Sequence, residues 1–176
     1  MIDHVFKKKP SVSLNFLEKT DRANFEALAC DEVIRKNANL DCWFNGISCE
    51  SMWRTVEDKI PSQYNYFSVR NETSFIGSAS LVEMNSTAEF VEMGFWIGRN
   101  FWRLGYGREV VNSLIIKAFE KPITKCIFAN CYTENFAVIS LLKQFTSIEV
   151  DSDLMRISKE LNANQSSMIS FSIARD

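Results

Sequence analysis

Two glycines two residues apart, Gly105 and Gly107, stand between Arg103 and Arg108. Just after them Val110, Val111, Leu114, Ile115 and Ala118 recur at helical spacing. Just before them residues 91–97 are apolar, aromatic and β-prone, as a buried strand should be. The reading is strand, glycine turn, helix. Glycines keep Cβ atoms away from whatever the turn wraps. The first-turn amides of the helix then point at open space, with the positive end of the helix dipole behind them. That is the chemistry of an anion site, and the two flanking guanidinium groups can add charge-assisted hydrogen bonds to phosphate.

Several phosphate-binding turns share this outline. A dinucleotide fingerprint needs a third glycine, where this chain has Val110. It also needs an acidic residue about 20 positions on, where Lys125-Cys-Ile-Phe-Ala129 supplies none. A nucleoside-triphosphatase loop needs Gly-Lys-Ser/Thr, but Gly107 is followed by Arg108-Glu109. Trp102-Arg-Leu-Gly105-Tyr-Gly107 instead resembles the Gln/Arg-x-x-Gly-x-Gly/Ala signature of the GNAT family of N-acetyltransferases, which cradles the pyrophosphate of acetyl-CoA. Tryptophan in the first position, and the Gly-Tyr-Gly-x-Glu that follows, are similar to the RimJ/RimL branch, whose members acetylate protein N-termini. Glu92-Met-Gly-Phe-Trp-Ile97 is similar to that branch's fourth strand, and Phe75-Ile-Gly77 to the family's third. The resemblance runs from about residue 12 to about residue 150. The alternative is a tight strand-to-helix turn with no ligand.

The resemblance implies a mixed α+β, single-domain fold. Its six- to seven-stranded mixed sheet splays between strands 4 and 5 and is flanked by about four helices. A split sheet leaves backbone amides and carbonyls that are costly to bury unpaired, and an extended chain with amides of its own satisfies them by strand addition. Pantetheine is such a chain. The implied contacts are the backbone of Phe95, Trp96 and Ile97 for pantetheine, and that of Trp102, Arg103, Leu104, Gly105, Tyr106, Gly107 and Arg108 for pyrophosphate. Asn135 matches the family asparagine on the pantetheine arm, and it also suits a helix cap.

Acetyl transfer to an amine needs a neutral nitrogen, and amines are largely protonated near pH 7, so a base must take the proton. Glu92 matches the family position of that base; its other reading is a carboxylate on the solvated face of the strand. A backbone amide near Ile97 is the natural donor to the acyl oxygen. The chain departs from the family on the following helix. Leu142 stands where many members carry a tyrosine acid, and Val138 where the branch has serine. Thr146-Ser147 replace Gly-Phe, and Ser140 lies on a different helical face. A coenzyme thiol with a pKa near 8.5 can leave without full protonation, so the missing tyrosine does not exclude turnover.

The elements that must position these groups follow from pattern. Val12, Leu14 and Phe16 alternate with Ser13, Asn15 and Leu17 as a first strand, and Thr20-Asp21 caps a helix bearing Phe25 and Leu28. Residues 37–45 read as a polar loop holding Trp43-Phe44. A second helix starts at Ser48 with Met52, Trp53 and Val56 as its stripe, and Pro61 ends it. Residues 64–69 and 75–82 form a hairpin about Asn71-Glu72, and residues 89–97 are strand 4. The helix after the glycine turn stops before Pro122, residues 125–132 are strand 5, and a helix opens at Asn135. Segments 148–150 and 155–157 compete for the next strand, 160–167 is a loop, and 168–174 alternates as the last strand.

Composition narrows the partners. A chain of 176 residues with 46% hydrophobic and 24% charged residues suits one globular domain, 1–176, with 1–10 as an N-terminal tail. A net charge of −2 makes nucleic acid an improbable partner, and Lys7, Lys8 and Lys9 read as a solvated run. The one histidine, His4, lies in the tail, so histidine catalysis is not expected. The five cysteines, Cys30, Cys42, Cys49, Cys126 and Cys131, form no Cys-x-x-Cys pair. They are expected as reduced thiols in a cytoplasmic protein, with no metal site. No signal peptide or membrane-spanning run is apparent. Sheet edges and exposed aromatics are compatible with a homodimer. The expected function is acetyl-CoA-dependent acetylation of a primary amine, on a protein N-terminus or a small molecule. The alternative is a catalytically degenerate acyl-CoA-binding sensor or interaction module.

Overall fold

The computed structural model of the chain describes residues 10–38, 40, 48–59, 64–145 and 168–175. Its strands are β1 (Ser13–Phe16), β2 (Tyr64–Arg70), β3 (Phe75–Glu83), β4 (Phe90–Ile97), β5 (Cys126–Tyr132) and β6 (Met168–Ala174). They form one six-stranded sheet in sequence order. The α-helices include α1 (Arg22–Ala29), α2 (Glu32–Asn37), α3 (Cys49–Lys59), α4 (Tyr106–Phe119) and α5 (Phe136–Leu142), with short 3-10 turns at Lys19–Asp21 and Arg99–Phe101. This is the expected mixed α+β sheet.

Two asparagines make the turns of the β2–β3–β4 meander. The Asn71 carboxamide oxygen accepts the amides of Thr73 (3.0 Å) and Ser74 (2.8 Å), and that of Asn85 accepts the amide of Glu89 (3.1 Å). Such local bonds are why asparagine favours turns. Every strand pair is antiparallel except β4 and β5. That parallel ladder holds three pairs only, Phe90 with Cys126, Val91 with Ile127 and Glu92 with Phe128. Beyond Glu92 the two strands part.

Both faces of the sheet are covered. The α4 stripe, Val110, Val111, Leu114 and Ala118, packs on Val69, Ile76, Leu81, Val91, Met93 and Ile127. On the other face Phe25 and Ala29 of α1 and Met52, Trp53 and Val56 of α3 meet Tyr66, Phe75 and Trp96. Phe25 lies edge-on to both Trp53 and Trp96, with ring centroids 5.6 and 5.3 Å away. Alternation along β4 therefore sends Met93 and Ile97 to one core and Trp96 to the other.

Three expectations need correction. Helix α2 stands in the link between the first two expected helices, where only a connection was read. It is a single short segment that Asp31 caps by accepting the amides of Val33 (2.9 Å) and Ile34 (3.2 Å). Asp21 precedes α1 but makes no side-chain cap to it; its carboxylate accepts the Glu18 amide at 3.1 Å and pairs with Arg70 of β2. Cys30 is disulfide-bonded rather than reduced, whereas Cys126 and Cys131 are free and buried. The expectations for His4, the lysine run, Cys42, Trp43-Phe44, Pro61, Thr146-Ser147 and residues 148–167 lie outside the described residues. Among the described residues no helix is long and apolar enough to cross a membrane.

Candidate active site

The parting of β4 and β5 opens a cavity of about 380 Å³. Its walls are β4 from Glu92 to Ile97, β5 from Ala129 to Tyr132, the end of α2, the turn before α4, and α5. The hydrogen-bond phase of β4 decides what its backbone offers. Gly98 donates its amide to the Ile76 carbonyl at 2.8 Å, and Ile97 pairs in register with Gly77. Since bonding direction alternates along an antiparallel strand, Phe95 and Ile97 turn their amides to the side that β5 has left. Trp96 turns its backbone to β3, and its ring packs against Phe25 and Phe75 in the core under α1 and α3. The Ile97 carbonyl already accepts the Trp102 indole N–H at 2.6 Å, so Trp102 closes the end of the strand as well as lining the cavity.

The glycine turn has the geometry its residues require. Arg103 and Gly105 have positive φ, 59° and 88°, and Gly105 is the N-cap of α4 with no side chain capping the helix. No side chain competes for the first-turn amides; that of Arg108 donates to the Gly105 carbonyl at 3.2 Å, which leaves those of Tyr106 and Gly107 to meet an anion. A Cβ on Gly105 would stand 3.0 Å from Pro10 Cγ, and one on Gly107 would stand 3.2 Å from Leu141 Cδ2. Trp102, Arg103 and Gly107 line the cavity; Leu104, Gly105, Tyr106 and Arg108 do not. Leu104 is 56% exposed, Arg108 is exposed, and the Tyr106 ring packs edge-on to Phe101, its hydroxyl accepting from Asn71 Nδ2 at 3.4 Å.

Glu92 is only 9% exposed, so its carboxylate is not on a solvated face. Burial raises its pKa from the ordinary value, and a 2.7 Å hydrogen bond from Asn130 Nδ2 acts in the opposite sense. The result is a more basic carboxylate on the cavity wall. Asn135 is the N-cap of α5: its oxygen accepts the Val138 amide at 3.3 Å, and its Nδ2 donates to the Asn37 carbonyl of α2 at 3.2 Å. Both of its polar ends thus have partners, one within α5 and one across the cavity mouth on α2. Leu142 is 1% exposed and lines the cavity from within the core, so the position of the family tyrosine is plain packing here.

Glu92, Phe95, Trp96, Ile97, Trp102, Arg103, Gly107 and Asn135 therefore meet in one cavity. Asn130 and Tyr132 on β5, and Ile34 and Asn37 on α2 with its C-cap Ala38, also line it and were not singled out from the sequence; Cys131, expected only as a reduced thiol, lines it too. Asn130 did carry a signal, as the one polar residue in the strand Cys-Ile-Phe-Ala-Asn-Cys-Tyr. The Cys131 thiol is pushed up to about 11 by burial, so it is protonated at neutral pH. No cluster of metal-ligating side chains occurs among the described residues.

A mixed sheet that parts at its one parallel ladder, with a helix N-terminus uncapped by side chains at the parting, is built to take an extended, anion-bearing ligand. The family model described as acetyltransferase (GNAT) domain matches residues 12–145, and the chain belongs to that family as an acetyltransferase. No curated protein sequence matches it. The spermidine N-acetyltransferase of Vibrio cholerae, solved with CoA and spermine, is similar with a TM-score of 0.65 at 20% identity, over 76% of this chain and 79% of its own. A GNAT-family acetyltransferase from Bacillus anthracis aligns with a TM-score of 0.69 at 14% identity, over 95% and 96%. The Campylobacter jejuni N-acetyltransferase PseH, solved with acetyl coenzyme A, gives 0.59 at 18% identity, over 94% and 99%. At such identities the likeness speaks to the fold.

Proposed function

We propose that this acetyltransferase takes its acetyl group from acetyl-CoA and delivers it to a primary amine, the whole chain acting as one domain. The observation that carries the reading is the buried Glu92 carboxylate on the wall of a cavity that also presents free β4 amides and an uncapped helix N-terminus. When bound, acetyl-CoA supplies an activated thioester acyl group. Phe95 and Ile97 offer backbone amides to an extended pantetheine, as an added strand would use them. The Ile97 amide is the donor for the acyl oxygen. The turn from Trp102 to Arg108 wraps pyrophosphate, with the amides of Tyr106 and Gly107 as its donors and Arg103 and Arg108 beside it. Asn135 joins the pantetheine arm by exchanging its bond to the Asn37 carbonyl.

Glu92 takes the proton of the incoming ammonium, and its raised basicity serves that step. The acceptor is a protein N-terminal α-amine, as in the RimJ/RimL branch, or a small amine. The branch placement rests on Glu92-Met-Gly-Phe-Trp-Ile97 and on the tryptophan at 102. The Vibrio enzyme's spermine puts polyamines into the same test. One observation favours a second reading, a degenerate acyl-CoA sensor: Leu142, buried where the family has its acid. Coenzyme release measured against peptides, polyamines, aminoglycosides and amino-acid amines separates the two. Turnover with one class establishes the transferase; acetyl-CoA binding without release from any class establishes the sensor.

A further inference from the structure

A short polar row crosses the sheet where it splits. Glu92 and Phe128 form the last pair of the β4–β5 ladder, and Asn130 is the next residue of β5 on that face. Its side chain reaches back over the opening, Nδ2 donating to Glu92 Oε1 at 2.7 Å. On the far side Ser170, its register partner on β6, donates from Oγ to Asn130 Oδ1 at 2.6 Å. We propose that Asn130, itself set by Ser170, is the positioning residue that aims the Glu92 carboxylate into the cavity as proton acceptor. This rests on the reading of Glu92 as base.

The residue types fit that role. With Oε1 held by Asn130, the other carboxylate oxygen is left for the amine. A carboxamide is a neutral donor, and a lysine or arginine there would hold the proton affinity of Glu92 down far more strongly. A carboxamide also has an accepting end and a hydroxyl can donate or accept, so the row can satisfy Glu92 with and without its proton. The other charged or titratable groups on the cavity wall, among the described residues, are Arg103 from the turn and Cys131 and Tyr132 from β5. The lining residues of α2, α5 and β6 contribute none.

The test compares pH–rate profiles of kcat/KM with a saturable acceptor amine. Removing the donor by Asn130→Ala takes away stabilisation of the ionised carboxylate. The acidic limb should move to higher pH by about one unit or more, so the rate on that limb should fall at least about tenfold. Asn130→Asp sets a second carboxylate against Glu92 and should move the limb further in the same direction. Ser170→Ala should shift it less, and Ser170→Thr, which keeps the hydroxyl, should restore the wild-type profile. The KM for acetyl-CoA should hold throughout. Should Asn130→Ala not fold, the Ser170 pair decides alone. Variants that lose rate with an unmoved acidic limb overturn the proposal. If Glu92→Gln abolishes turnover while Asn130 and Ser170 variants keep the wild-type limb, the base stands and its positioning by Asn130 falls. If Glu92→Gln keeps the wild-type rate and profile, the base itself is refuted.

Discussion

Gly107 separates phosphate binding from mere turn geometry. It sits in the first turn of α4 with no positive φ, so a side chain there carries no backbone strain. A methyl group at its Cβ position would stand 3.2 Å from the terminal methyl of Leu141, a flexible neighbour able to give a few tenths of an ångström. For folding, Gly107→Ala should be neutral or stabilising, since alanine is favoured over glycine in helices by up to about 1 kcal/mol. For binding, the same methyl enters the cavity wall beside the amides that an anion would use. Losing one hydrogen bond to a charged group costs about 1.5–3 kcal/mol, a rise in Kd of about 10- to 150-fold. Gly107→Val should abolish binding. Gly105→Ala is the control of opposite sign: its φ of 88° makes any Cβ strained, so it should lose stability, about 1–2 kcal/mol. Titration calorimetry with acetyl-CoA and thermal unfolding, run on all three, read the two effects apart. A folded Gly107→Val with undiminished affinity would refute the phosphate assignment and leave the turn a structural one.

Glu92→Gln should change stability with pH as well as rate. Burial raises the folded carboxyl above its unfolded value, so wild-type stability falls as pH rises through the interval between the two. The melting temperature of the variant should gain on wild type across that interval and match it in acid; a constant difference would mean that the folded carboxyl is not raised. Replacing Cys126 or Cys131 with alanine should leave acetyl transfer largely intact, since both thiols are buried and raised above the ordinary cysteine value. Selective loss of turnover in a folded Cys131→Ala would instead point to a covalent acyl-cysteine route. Gly77→Ala should be severe, because its Cβ would stand 2.1 Å from the Trp96 carbonyl oxygen, which the ladder holds in place. Urea unfolding should show a cost beyond the usual 0.5–3 kcal/mol of point substitutions.

What the sequence disclosed follows the length and contrast of each signal. Strands β3 and β4 announce themselves through Phe75, Ile76, Leu81, Val91, Trp96 and Ile97, and α4 through four buried residues at helical spacing. Helix α2 escaped because six residues with one buried side chain, Ile34, carry no periodicity to detect. Asp21 misled because a carboxylate beside a helix start looks like a cap, while Arg70, which claims it, lies far along the chain. The disulfide at Cys30 has no local signature at all, since pairing depends on which distant thiols the fold brings near. At the site, the glycine turn was legible because its chemistry is local. Asn130 was not assigned because its role exists only once β4, β5 and β6 lie side by side.

The brevity of the β4–β5 ladder also bears on how the chain is made. On a ribosome the β2–β3–β4 meander and α4 emerge before β5, and until β5 arrives β4 is an edge strand rich in Phe90, Val91, Met93, Phe95, Trp96 and Ile97. An apolar strand with an open edge invites pairing with another chain. The finished sheet repairs only its first three residues and leaves the rest facing a cleft. Residues of α2 and α5 wall that cleft. An extended ligand that pairs with those residues would stabilise the folded enzyme by occupying its last open strand edge.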